Sequence, residues 1–161
     1  MSKLLKFAAL AGLCCVSCSS YSVGFVAKDP LDVQAAVPSD QAIVCVVRTS
    51  LVGAALTLPI RDNGKLVGAT EGPSHFCYRA GVGRHRLTVE VSDADAIELV
   101  VSGGDRHFVE HAVRFGSDEL RVISEEQGLA AVRESEPTVV EEGPEGEPLP
   151  AEVPFAEALA D

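Results

Sequence analysis

Beyond residue 40, apolar positions recur with the two-residue period of β-structure. "RHRLTVEV" (84–91) alternates cleanly, setting His85, Leu87, Val89 and Val91 on one face against Arg84, Arg86, Thr88 and Glu90 on the other. "AIVCVVR" (42–48) is instead a continuous apolar, mostly β-branched run, the pattern of a strand covered on both faces. In "AALTLPIRDNGKLVGAT" (54–70) the Asn63-Gly64 pair supplies the positive φ angles of a two-residue hairpin turn. Pro59 removes a ladder donor and predicts a sheet edge or a bulge. "SHFCYRA" (74–80) is a further strand, "IELVVSGGDRHFVEHAVRF" (97–115) reads as two strands joined at Gly103-Gly104-Asp105, and "LRVIS" (120–124) is a short last one. Turns this closely spaced, with no long helical pattern, predict an all-β sandwich of seven to eight strands over residues 41–133. "SEEQGLAAVRE" (124–134) predicts one short helix, capped by Ser124 with Gln127 at capping-box spacing and weakened by Gly128.

The pattern before residue 41 is different. Lys3 and Lys6 precede an uncharged apolar stretch, "FAALAGLCCV" (7–16), and small residues Ser17, Ser19 and Ser20 surround Cys18. This is the layout of a secretory signal, and ten apolar residues fall short of the ~20 that a spanning helix needs. Within it "CVSC" resembles a lipobox, with Ser17 as the small residue before the cleavage point and Cys18 as the thiol that takes a diacylglyceryl group. Cys15 stands where Leu is usual. A redox pair or a zinc half-site would need a folded context or a second cysteine pair, and neither is present. Residues 1–17 are therefore read as a lipoprotein signal peptide. Residues 18–40, with Pro30 and Pro38 and no sustained periodicity, are read as a flexible tether reaching ~25 Å. By analogy with lipoproteins of double-membrane bacteria, Ser19 rather than Asp after the lipid cysteine predicts transfer to the outer membrane.

Charge sharpens the division. The formal net charge is −11, and nine of the acidic residues lie from Glu134 onward, where there is no Lys or Arg. The remainder of the chain is close to neutral. Five prolines share that last stretch, so residues 134–161 are predicted to be a disordered acidic tail able to meet a basic partner. The negative charge, no Trp and only two Tyr argue against nucleic acid.

Candidate chemistry is sparse. There is no Gly-x-Ser-x-Gly and no phosphate-binding glycine loop, so no catalytic residue is expected and no cofactor is implied. His107 and His111 have the spacing of a helical zinc pair, but on a strand they stand ~13 Å apart. His75 and His85 are the remaining weak metal candidates, and none of the four is expected to hold an ion. His85 is expected at the core edge, with a ring nitrogen on a loop carbonyl. Cys45 and Cys77 would remain after processing, in a compartment where disulfides persist, and are a candidate pair. A bridge closes a loop of ~33 residues, although their strand neighbours leave open whether the two side chains share a sheet face.

"AIVCVVR", "DNGKLVG", "GVGRHRLTV" and "LRVISEEQGLAAV" together resemble a family of bacterial lipoprotein domains of unknown function, with coverage of about residues 41–133. The resemblance implies an immunoglobulin- or transthyretin-like (PEGA-like) β-sandwich and no catalytic residues. The expected function is that of a non-enzymatic cell-envelope lipoprotein. It would be held by its N-terminal lipid at the periplasmic face or surface of the outer membrane, acting as a structural or protein-interaction module toward another envelope protein. The alternative is a periplasmic protein that binds a small ligand or metal near the sandwich loops.

Overall fold

A computed structural model describes residues 20–90 and 92–160. The expected signal peptide (1–17) and the expected lipidation site, Cys18, lie outside the described residues. The chain runs β1 (Ser22–Phe25), β2 (Gln41–Arg48), β3 (Thr57–Asp62), β4 (Lys65–Glu71), β5 (Ser74–Gly81), β6 (Gly83–Val89), β7 (Ser92–Val101), β8 (Arg106–Arg114), β9 (Ser117–Ile123), α1 (Glu125–Glu134), β10 (Glu136–Glu142) and β11 (Phe155–Ala156). The described residues form an all-β sandwich with one short helix. One sheet has the order β1-β10-β5-β2-β8-β9, with β11 also on β5, and the other has the order β4-β3-β6-β7. Between them lie Val44, Val46, Tyr78 and Val109 of the large sheet against Ile60, Leu87, Val89 and Leu99 of the small one.

β2 is central, antiparallel to β5 and parallel to β8. Its continuous apolar run follows from that place: Val44 and Val46 enter the sandwich, while Ile43 and Cys45 enter a second cluster with Leu31, Val33, Cys77 and Phe108. Leu129 and Val132 of α1 and Val153 close that outer cluster. Asn63 (φ 50°) and Gly64 (φ 81°) form the turn between β3 and β4. Pro59 lies on an interior strand, one residue beyond the β3–β6 ladder and beside a register shift at Ile60/Arg61, which leaves its missing N–H harmless. Ser124 and Gln127 form the capping box of α1. Gly128 is there for packing: a Cβ at that position would stand 2.0 Å from the Phe108 ring.

Two expectations about the ends of the chain are corrected. The 18–40 tether is folded from Ser22 on, because β1 pairs with β10 and Leu31 and Val33 are buried over the β2–β5 face. The acidic tail, expected to be disordered, contributes β10, β11 and a buried Ala156. The Arg79 amide donates to the Pro154 carbonyl (2.9 Å), and the Leu159 amide donates to that of Arg84 (2.8 Å). Composition argued against folding because the tail holds few apolar groups of its own. The sandwich supplies the apolar surface and the open backbone groups that the tail lacks.

Candidate functional site

The histidines that stand out in the sequence do not converge. Each of the four lies within 4 Å of a different aspartate: His75 with Asp29, His85 with Asp62, His107 with Asp105 and His111 with Asp118. No group of three His, Cys, Asp or Glu side chains that could hold a metal ion occurs among the described residues. His107 and His111 share β8, and they meet different partners at different depths.

His85 and Asp62 form the most enclosed of these pairs, both fully buried between the sheets. Asp62 stands opposite Leu87 across β3–β6, which puts His85, two residues back, on the same face. Asp62 Oδ2 accepts from the Tyr78 hydroxyl and His85 Nδ1, both at 2.8 Å, while His85 Nε2 faces the Gly81 carbonyl at 2.8 Å. With acceptors at both ring nitrogens, the cationic ring is the form that satisfies the site. Burial alone would lower the His85 pKa, but the Asp62 and Gly81 hydrogen bonds and the Asp62 charge outweigh it and raise the value. Burial and the adjacent carboxylate hold the Tyr78 phenol far above its usual range. Asp62 Oδ1 is buried without a hydrogen-bond partner.

His111 is the opposite case. Thr70 Oγ1 lies 2.9 Å from its Nδ1, and Asp118 Oδ2 lies 3.4 Å from its Nε2. Burial, aided by the Arg48 charge and only partly offset by Asp118, pushes its pKa down to about 4. The ring is therefore neutral at pH 7, taking the Thr70 proton on Nδ1 and carrying its own on Nε2.

His75 completes a Ser135–His75–Asp29 array. Its Nδ1 is 2.8 Å from Ser135 Oγ, and its Nε2 is 2.9 Å from Asp29 Oδ2. The Ser135 hydroxyl also lies 2.7 Å from the Ala131 carbonyl at the end of α1, so it is shared between the ring and the helix end. The array ties the 26–31 segment, α1 and β5 together. Asp29 and Ser135 carry no sequence signal, since one stands in the expected tether and the other at a helix end.

Cys45 and Cys77 are directly opposed on β2 and β5 and form a disulfide. Their shared face, left open by the sequence, follows from that register. A cavity of about 370 Å³ lies beside Cys77, with Val67, Phe76, Val139 and Pro154 among its apolar lining and Lys28 and Glu152 as its charged groups. No helix among the described residues is long and apolar enough to cross a membrane.

No protein-family model matches the chain, and comparisons with curated proteins and with solved structures return no match.

Proposed function

We propose that the chain is a non-enzymatic cell-envelope lipoprotein, a β-sandwich held at the membrane by a diacylglyceryl group on Cys18 and serving as a structural or protein-interaction module. The N-terminal pattern carries this reading: Lys3 and Lys6, an apolar stretch too short to span, and Ser17 before Cys18. The Cys45–Cys77 disulfide supports it, because such bridges persist in oxidising compartments. His75, His85 and His111 each bond an aspartate of their own, and no metal-ligating cluster of three occurs among the described residues, which is in keeping with a non-enzymatic module. Glu141, Glu142 and Glu145 remain exposed on and just beyond β10, a surface suited to a basic envelope partner. Expression in a double-membrane bacterium tests the anchor. Wild-type protein is expected to sediment with outer membranes and to require detergent for release, and Cys18→Ser is expected to leave it. Equal sedimentation of both would refute lipid anchoring.

The small-ligand alternative is favoured by one observation, the apolar cavity beside Cys77. It is a more suitable site than the histidines, and a thermal shift with a panel of apolar carboxylates would reveal an occupant.

A further inference from the structure

We infer that the end of the sandwich carrying Leu51, Leu56 and Phe115 is a lipid-contacting surface that seats the domain directly on the membrane; this rests on the proposed lipidation of Cys18. These side chains are among the exposed large hydrophobics, at 74%, 55% and 95% respectively. Leu51 and Leu56 belong to the loop between β2 and β3, and Phe115 is in the turn between β8 and β9. Because β2 and β8 are parallel neighbours, the loop leaving β2 and the turn leaving β8 emerge at the same end. The Ser50 hydroxyl joins them by donating to the Val113 carbonyl (3.1 Å).

The loop is held in shape. Buried Arg48 reaches into it and donates to the carbonyls of Val52 (2.7 Å), Gly53 (2.7 Å) and Leu56 (3.1 Å). A fully buried cation spent on loop carbonyls holds this apolar loop in place. Its leucines therefore stay in solvent, where burying them in an apolar medium is favourable.

The position of the chain's start selects the occupant. Ser20 and Tyr21 line a depression shared with Ala55 and Leu56. Tyr21 is fastened there: its hydroxyl donates to Glu90 (2.9 Å) and accepts from Arg61 (2.9 Å), and Arg61 also pairs with Glu90. Cys18 lies two residues before Ser20, so at full extension the anchor sits within ~7 Å of it. An acyl group on so short a lead brings the lipid surface to this end of the sandwich rather than leaving it ~25 Å away on a tether. Exposed Arg114, beside Phe115 and loosely paired with exposed Glu119 (3.6 Å), has a stem long enough to exchange that partner for lipid phosphate while the ring enters the interface.

The chain contains no Trp, so a single introduced Trp reports its own surroundings. Phe115→Trp and Leu51→Trp replace exposed side chains, and Val82→Trp, in the turn between β5 and β6 at the far end, is the control. Full-length lipidated protein, with its N-terminal mass verified in the same preparation, is reconstituted into phosphatidylcholine vesicles with and without brominated acyl chains. Blue-shifted emission and quenching by brominated lipid at positions 115 and 51, but not at 82, are expected. A lipid-modified terminus with all three positions open to aqueous iodide would overturn the seating and leave the anchor standing. An unmodified terminus would overturn both. Shielding in host membranes without brominated-lipid quenching would replace the lipid with a protein partner.

Discussion

Replacing both members of the Cys45–Cys77 bridge with alanine tests the packing and the export reading together. The bridge joins residues 32 apart in sequence, and on the chain-entropy model closing such a loop in the unfolded state is worth about 3.7 kcal/mol. The two strands are antiparallel partners along all of β2, so the native pairing survives the substitution. Removing sulfur from the cluster of Ile43, Phe108, Leu31 and Val33 adds a smaller packing loss. The double variant should therefore unfold in urea with about 4–5 kcal/mol less stability. That corresponds to a Tm roughly 8–20 °C lower at this chain length. Equilibrium unfolding followed by far-UV circular dichroism, with thiol titration of native and denatured wild type, measures both. Two titratable thiols in wild-type protein from an oxidising compartment would refute the bridge. A double variant within about 0.5 kcal/mol of wild type would refute the entropic reasoning.

Gly128→Ala gains about 1 kcal/mol of helix propensity, yet it should destabilise the protein by about 1–3 kcal/mol in urea unfolding, because the added methyl meets the Phe108 ring. Deleting residues 143–161 removes β11, buried Ala156 and backbone bonds to Arg79 and Arg84, and a loss of roughly 2–4 kcal/mol is expected where a disordered tail would cost nothing. Stability should fall as pH drops from 6.5 toward 4, by at most about 3 kcal/mol, because the unfolded chain protonates His111 while the native chain does not. His85 acts with the opposite sign: its raised pKa gives stability that is complete below 6.5 and lost as pH rises through the folded value. Urea unfolding across pH should show His111→Asn abolishing the acid-side loss and His85→Asn the alkaline-side one.

Much of the sandwich was legible because its signals are local. Asn63-Gly64, the Ser124/Gln127 box and the two-sided run at 42–48 each specify geometry within a few residues, and residues 41–133 contain eight strands, β2 to β9. β10 was not legible. "EPTVVEE" offers two valines among acids, and its strand character comes from partners far away in sequence, Ser22–Phe25 and Ser74–His75. Gly128 misled in the other direction, since propensity scored it as a weakness and packing requires it. The histidines were visible and their partners were not. Asp62 carries no signal of its own before the Asn63-Gly64 turn, and only the β3–β6 register places it beside His85. Asp29 and Ser135 sit where no periodicity singles them out.

The most direct test of lipid anchoring is the mass of the N-terminal peptide from protein extracted from its host's membranes. A peptide beginning at Cys18 with a diacylglyceryl-sized addition is the expected result. An unmodified terminus at Ser17 or Ser19 would contradict it, leaving a freely diffusing secreted sandwich in place of the anchored one.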